Sequence, residues 1–472
     1  MASRDPLRPN VLFILTDDHG PWALGCAGNG EIRTPHLDAL AGAGMRFENF
    51  FCTSPVCSPA RASLLTGRIP SQHGIHDWIS GGNAGPGAVE YLAGQTGYPE
   101  LLAAAGYSCG ISGKWHLGDS YRPQKGFTHW YVHEAGGGPY YNAPMIRNGA
   151  LARDPRYVTD LITDDALEFI DAQAQQPDGP FYLSVHYTAP HSPYINNHPQ
   201  DIVDSYAACP FESCPQEPRH PWVPAGVFGP AWQQPREHLQ GYFAAVTAMD
   251  ANVGRLRARL GRHALDASTL VLFLSDNGFN CGHHGIWGKG NGTFPLNMYD
   301  NSVKVPAIAS QPGRIPRGTV CRALLSQYDV MPTLLDYLGL SLTHVARLPG
   351  RSFAPVLRGE TGREHPFVVV CDEYGPVRMI RTADWKYVHR YPYGPNELYD
   401  LERDPGERRN LLTEGMEQDI AQALRAQLQE WFCRYADPAR DGVREAVTGA
   451  GQRGLAGLAG HGAEAFAQRR RS

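Results

Sequence analysis

Four apolar runs, each followed at once by polar residues, constrain the fold of this chain more than any other sequence feature. They cover residues 10–16, 107–112, 181–187 and 269–275. Helical patterns at 35–43, 98–105, 157–175 and 236–260 separate them. This alternation is typical of a mostly parallel sheet covered by helices on both faces.

The pattern changes after about residue 350. Short β-like runs at 367–371, 377–381, 386–390 and 397–401 precede a helical pattern over 416–434. We therefore predict an α/β fold with a large mixed, mostly parallel sheet between helices over 9–350, and a C-terminal subdomain over 351–440. That subdomain should hold a smaller antiparallel sheet and one helix.

Two segments have no regular pattern. Residues 197–232 are rich in Pro and Cys, which predicts a long loop near the functional site. Residues 441–472 are rich in Gly, Ala and Arg, and we expect a flexible tail there.

The composition argues against several classes of partner. The chain has 42 basic and 47 acidic residues and a formal charge of −5, which argues against nucleic acid. No run approaches the roughly 18 apolar residues of a membrane span, and residues 11–15 are too few for a signal peptide. We expect a cytoplasmic enzyme that binds neither nucleic acid nor membrane. About nine of its ten cysteines should be reduced structural or incidental thiols, with Cys57 as the exception and a Cys209–Cys214 disulfide as the alternative.

Polar residues at the ends of the apolar runs predict a metal site. Open parallel sheets bind ligands beyond the carboxyl ends of their strands. Asp17 and Asp18 follow the first run, and Asp276 and Asn277 follow the last. These side chains offer only oxygen ligands, which suit Ca²⁺, or less well Mg²⁺, and not zinc. The alternative is that each pair only forms a tight turn.

A helix is predicted directly after Cys57. Ser58 is a good N-cap, Pro59 a good first helical residue, and Gly67 a good end. Cys57 would then lie at a helix N-terminus that favours an anion, with Arg61 one turn further on. These residues alone indicate a thiol nucleophile of low pKa.

The segment CSPAR at 57–61 resembles the C-x-P-x-R signature of type I sulfatases, of the alkaline phosphatase-like superfamily. Further segments resemble that family in the same order along the chain: the opening strand and DDHG at 10–20, GKWHLG at 113–118, APHSP at 189–193, SDNG at 275–278 and HGIWGK at 284–289. The resemblance covers about residues 9–435.

The resemblance implies hydrolysis of sulfate esters of sugars, aryl alcohols or related compounds. A formylglycine-generating enzyme would convert Cys57 to formylglycine, whose hydrate would be the nucleophile and a ligand of Ca²⁺ together with the four oxygen-bearing residues. His191, with Lys289, would protonate the departing alcohol, and His116 would later take a proton to release sulfate. The implied catalytic residues are Cys57, Arg61, Lys114, His116, His191 and Lys289.

Residues that would contact the organic part of the substrate are less clearly marked. His76, Asp77 and His284 are candidates, and ordinary loop positions are the alternative. Four aromatic residues could form sugar or aryl platforms: Trp78, Tyr140, Tyr141 and Trp222. Two rival functions stay open, a phosphonate monoester or phosphodiester hydrolase on the same scaffold, and an inactive anion-binding protein whose Cys57 remains a thiol. No motif distinguishes O-sulfate from N-sulfonate substrates.

Overall fold

The computed structural model describes residues 8–176, 179–226, 228–341, 347–362, 364–372, 375–443, 445, 449–457 and 465–466. The strands are β1 (Asn10–Thr16), β2 (Met45–Phe47), β3 (Phe50–Phe51), β4 (Ser108–Lys114), β5 (His129–His133), β6 (Pro144–Arg147), β7 (Ala150–Arg153), β8 (Phe181–His186), β9 (Thr269–Ser275), β10 (Asn280–Cys281), β11 (Trp287–Gly288), β12 (Ala307–Ser310), β13 (Thr319–Cys321), β14 (Leu325–Ser326), β15 (Val368–Asp372), β16 (Val377–Arg381), β17 (Trp385–Arg390) and β18 (Glu397–Asp400).

The α-helices, in chain order, are α1 (Pro35–Gly42), α2 (Cys57–Thr66), α3 (Pro70–His73), α4 (Tyr98–Ala104), α5 (Val158–Ala174), α6 (Gln200–Asp204), α7 (Gly229–Gln233), α8 (Pro235–Arg262), α9 (Asp300–Val303), α10 (Val330–Tyr337), α11 (Ala354–Leu357) and α12 (Gln418–Tyr435). None of the helices in the described ranges is long and apolar enough to cross a membrane.

Ten strands form one large sheet in the order β13-β2-β12-β9-β1-β8-β4-β5-β6-β7. Its centre, from β9 through β1, β8 and β4 to β5, is parallel. Strand β12 joins one side antiparallel, and β6 and β7 extend the other side antiparallel. This confirms the predicted mixed, mostly parallel sheet, and it aligns the carboxyl ends of β1, β4, β8 and β9 along one edge.

The hydrophobic core lies on both faces of this sheet. Alternate residues of β1 point to opposite faces, as a period of two requires. Val11, Phe13 and Leu15 belong to one buried cluster, and Leu12 and Ile14 belong to the other. Every residue of β1 is buried, which is why its sequence is almost continuously apolar.

The C-terminal part contains the predicted small antiparallel sheet. Its order is β15-β16-β17-β18, and α12 packs on β16 and β17. Leu424, Leu428 and Phe432 of the helix share a buried cluster with Ile380 and Tyr387 of the sheet. The helix begins and ends within two residues of the predicted bounds.

Described residues of the segment 441–472 differ from the expected flexible tail. Gln452 is fully buried and pairs in parallel with Ile79 of the N-terminal domain. Ala456, Ala465 and Phe466 form a small buried cluster. The Gly- and Ala-rich composition carries no periodic signal, so this packing against a remote loop left no trace in the local sequence.

The cysteines are reduced, as the sequence predicts. All ten have free thiols, Cys209 and Cys214 included, so the alternative of a disulfide between these two is not realised.

Candidate active site

A cleft of about 430 Å³ opens at the carboxyl ends of β1 and β4. Five of the predicted site residues line it: Asp18, Cys57, His116, His191 and Lys289. Other residues of its wall were not predicted from the sequence, namely Ile79, Ser80, Asn83, Ala135, Gly136, Gly137, Ser192, Phe228, Phe279 and Asn291. The four strand ends therefore converge on one place, as the sheet topology requires.

Cys57 lies on the floor of the cleft as the first residue of α2. Its Sγ atom is 2.5 Å from Lys289 Nζ and donates to Asp17 Oδ1 at 3.5 Å. Burial and the Asp17 carboxylate raise the pKa of the thiol to about 12, against the opposing effect of Lys114 and Lys289. The sequence-based expectation of a low-pKa thiol is therefore wrong, because burial outweighs the helix N-terminus.

The N-terminus of α2 also differs from its prediction. The helix begins at Cys57, with Val56 and not Ser58 preceding it, and Ser58 Oγ accepts a hydrogen bond from Ile79 N at 3.1 Å. The Ser58 hydroxyl therefore bonds to the loop that contains Ile79 and does not cap the helix. Gly67 ends the helix at φ 66°, as predicted.

Three carboxylates meet beneath the cleft. Oxygen atoms of Asp17, Asp18 and Asp276 lie within 4.8 Å of one another. Burial would raise the pKa of Asp17, but Lys114 and its other cationic neighbours hold it well below the usual value. Burial and the charge of Asp17 raise the pKa of Asp276. Anions held so close together favour a cation between them.

Each carboxylate pairs with one lysine or arginine. Lys114 Nζ pairs with Asp17, Lys289 Nζ donates to Asp18 Oδ1 at 2.6 Å, and Arg61 Nε donates to Asp276 Oδ2 at 2.8 Å. Three positive charges thus balance three negative charges. Lys114 and Arg61 are buried below the floor and do not line the cleft.

Asn277 supplies a further oxygen to this cluster. Its Nδ2 atom donates to Asp18 Oδ1 at 2.7 Å and to Gly278 O at 2.8 Å. Its buried Oδ1 atom has no hydrogen-bond partner among the described residues. An unpaired buried oxygen beside three carboxylates fits a hard, oxygen-liganded divalent cation.

His116 presents a defined nitrogen to the cleft. Its Nε2 atom is 3.0 Å from Ile79 O, and its Nδ1 atom is buried with no partner in the described part of the chain. A carbonyl oxygen can only accept, so Nε2 carries the proton and Nδ1 presents a lone pair. Burial, and next the charge of Lys114, lower the pKa of the imidazole well below its usual value, which keeps it neutral.

His191 has the opposite arrangement of its ring nitrogens. Its Nδ1 atom donates to Ser192 O at 2.7 Å, and its Nε2 atom lies 3.8 Å from Asp18 Oδ2. The ring is partly exposed at the cleft. Nε2 is therefore the nitrogen available to a ligand.

Two glycines missed by the sequence analysis make room for these rings. A Cβ atom on Gly136 would lie 2.2 Å from His116 Cε1, and one on Gly137 would lie 3.3 Å from the His191 ring. The signal in the sequence is the run Gly136-Gly137-Gly138, which is easily taken for a plain loop.

The three candidates for contact with the organic part of the substrate do not line the cleft. His76 Nε2 is hydrogen-bonded to Arg440 O at 2.7 Å. The ring of His284 stacks on Tyr299, with centroids 3.8 Å apart. Asp77 Oδ1 accepts a hydrogen bond from Trp78 N, and burial raises the pKa of its carboxyl to about 7.

Of the four proposed aromatic platforms, Trp78 alone lines the cleft, and it is 38% exposed. Tyr140 is buried against Tyr157. Tyr141 and Trp222 are not among the residues that line the cleft. The predicted loop over 197–232 contributes Phe228 to the cleft wall and contains the short helix α6 and all but the last residue of α7.

Comparison with known proteins agrees with this geometry. The sequence matches the sulfatase family over residues 9–340, and the C-terminal region of N-sulphoglucosamine sulphohydrolase over 282–433. It is 28% identical over 529 residues to an N-acetylglucosamine-6-O-sulfatase of Bacteroides thetaiotaomicron, covering 95% of this chain and 90% of the relative. Arylsulfatase A of Homo sapiens is 30% identical, covering 89% and 87%. A solved structure of a protein in complex with its substrate D-glucosamine-2-N,6-O-disulfate has a TM-score of 0.77 and 25% identity, covering 91% and 98%.

Proposed function

Because this chain belongs to the type I sulfatase family and is a sulfuric ester hydrolase, we propose that it removes sulfate from sulfated sugars through a formylglycine made from Cys57. The position of Cys57 carries the proposal. Its Sγ atom, which stands in for an oxygen of the converted residue, lies 2.5 Å from Lys289 Nζ at the floor of the cleft. An unconverted thiol with its pKa raised to about 12 would be a poor nucleophile there.

If converted to formylglycine and hydrated, residue 57 would supply two hydroxyls, one that would attack sulfur and one whose deprotonation would release sulfate and restore the aldehyde. Asp17, Asp18, Asp276 and Asn277 would hold Ca²⁺, which adds positive charge where the sulfate oxygens bind. Ca²⁺ suits the site better than Mg²⁺ because it accepts a larger and less regular set of oxygen ligands.

The two histidines divide the proton transfers. His191, protonated on Nε2, gives that proton to the oxygen of the departing sugar, with Lys289 close to the same reacting group. His116 presents a bare Nδ1 atom and takes a proton from residue 57 when sulfate leaves. The neutral state of His116 supports the role of base.

The cleft wall supports a sugar as the organic part. Trp78 and Phe228 offer apolar faces, and Asn83 and Asn291 offer amide groups. A pyranose has both apolar faces and hydroxyls, so it matches such a mixed wall. One similar sulfatase is named for N-acetylglucosamine 6-sulfate, and one similar structure contains a disulfated glucosamine.

The test is sulfate release from a panel of 6-O-, 3-O- and N-sulfated amino sugars, alkyl sulfates and aryl phosphonates, with protein co-produced with a formylglycine-generating enzyme. We expect turnover of O-sulfated sugars, and formylglycine in the Cys57 peptide by mass spectrometry. Cys57→Ala should abolish turnover, because it removes the nucleophile without disturbing the sheet. Cys433→Ala, which changes an exposed thiol, should leave turnover unchanged. Retained activity in Cys57→Ala, or preference for phosphonates, would refute the proposal.

A further inference from the structure

The segment 449–457 is here called the C-terminal strap. It lies against the loop over residues 74–80, which accepts a hydrogen bond from His116. The backbone of Ile79 joins two parts of the site, because its N–H donates to Ser58 Oγ and its carbonyl accepts from His116 Nε2. Ile79 thus links the residue after Cys57 to the histidine that takes the second proton.

Gln452 of the strap pairs with this loop on both sides of Ile79. Gln452 N donates to Trp78 O at 2.8 Å, and Gln452 O accepts from Ser80 N at 2.8 Å. These are the two bonds of a parallel bridge with Ile79 between them. The Ser80 hydroxyl adds a bond to Ala450 O at 2.7 Å.

The side chain of Gln452 makes three further hydrogen bonds, two of them to the same loop. Its Oε1 atom accepts from His76 N at 2.8 Å, and its Nε2 atom donates to Gly74 O and Gly454 O, both at 2.9 Å. Gln452 is 0% exposed, so loss of these bonds would leave buried backbone groups without partners. This explains why a polar residue lies in so buried a position.

The strap is itself fixed at its far end. Arg453 N donates to Ala465 O at 2.7 Å, and Gly457 N donates to Glu445 Oε1 at 3.0 Å. Both family matches end before residue 434, so the strap lies outside the part of the chain that they cover.

We propose that the strap positions His116 through Ile79, and that Gln452 is the positioning residue for the release of sulfate. This inference rests on the proposed function, because it uses the role assigned there to His116. A shift of about 1 Å in a reacting group can cost about a hundredfold in rate. The carbonyl of Ile79 sets both the tautomer and the orientation of the ring, so a displaced loop acts on His116 first.

The test is Gln452→Leu in the full-length, converted protein, with nitrophenyl sulfate as the substrate. Leucine keeps the backbone pairing and the bulk but removes the three side-chain bonds. We expect kcat to fall by about tenfold to a hundredfold, while the first turnover releases nitrophenol at the wild-type rate and in an amount equal to the enzyme. The double variant with His116→Ala should lose little more than His116→Ala alone. Leu455→Ala, at an exposed position of the same strap, should behave as wild type.

A second variant covers the case in which Gln452→Leu does not fold. Gly451 has φ +75°, and a Cβ atom there would lie 2.7 Å from Trp78 O. Gly451→Ala therefore pushes the strap away without removing a polar group, and the same kinetic pattern is expected.

The outcomes separate the inference from the proposed function. A fall of burst size and kcat in equal proportion would mean that Gln452 only maintains folded protein, and would overturn the inference. Wild-type kinetics in both variants would overturn it too, while the sulfatase mechanism stands. A converted wild-type protein that releases no sulfate from any ester would overturn the proposed function, and this inference with it.

Discussion

At the scale of single residues, the free nitrogen of each cleft histidine indicates what that histidine can do. His116 presents an unprotonated Nδ1 atom from a buried ring, and His191 presents Nε2 from a partly exposed ring. The sequence motifs predicted that both rings would lie near Cys57. They could not predict the tautomers, because these depend on two backbone carbonyls, Ile79 O and Ser192 O.

The first prediction concerns the leaving group. His191→Ala should reduce turnover of alkyl or sugar sulfates by about 10²–10⁴-fold and that of nitrophenyl sulfate far less, because nitrophenolate leaves without a proton. His116→Ala should slow the same later step for both substrates and leave a burst of nitrophenol, since His116 acts after the alcohol has gone. Steady-state and stopped-flow rates on both substrates are the measurement. Equal leaving-group dependence in the two variants would show that the roles are assigned wrongly.

At the scale of elements, the strands were the most predictable part and the loops the least. Both β1 and β9 have the predicted bounds, because strands buried on both faces leave a continuous apolar run. The start of α2 differs from the prediction because Ser58 bonds to a distant loop and does not cap the helix. The part of the cleft wall over 135–137 was not predicted. Such contacts join residues far apart in sequence, so local patterns do not reveal them.

The second prediction concerns that glycine loop. Gly136→Ala would place Cβ at 2.2 Å from His116 Cε1, so the ring must move and kcat should fall by about tenfold or more. Gly138→Ala is the matched control, because its Cβ would lie at an ordinary 3.4 Å from His133 Nε2. Kinetics of the two variants, with thermal melts to compare stability, provide the measurement. Equal activity of the two variants would show that His116 does not depend on the space at Gly136.

At the scale of the whole molecule, the site depends on distant parts of the chain for its charge balance. Three carboxylates and three cations come from α2, β4 and the loops after β1, β9 and β11. They compensate each other without a metal, so a bound divalent cation leaves the site with about two positive charges. That excess suits a substrate whose sulfate is an anion.

The third prediction is a stabilising effect of Ca²⁺ on the whole fold. A cation that binds only the native site should raise the free energy of unfolding by about 2.7 kcal/mol at a hundredfold excess over its Kd. Denaturant unfolding with Ca²⁺ or with EDTA measures this increment. Asp17→Asn should abolish it, whereas Asp165→Asn, a buried carboxylate paired with His129 and Arg147, should retain it. Stabilisation by zinc and not by Ca²⁺ would contradict the oxygen-ligand assignment.

The depth at which Cys57 lies in the folded protein also bears on when it can be converted. Cys57 is 3% exposed in the folded protein, and Gln452 follows it by 395 positions. At about 5–20 residues per second, a ribosome needs about 20–80 seconds to cover that distance. A modifying enzyme that acts on the growing chain therefore has about 20–80 seconds before the strap is made and can pair with the loop over 74–80.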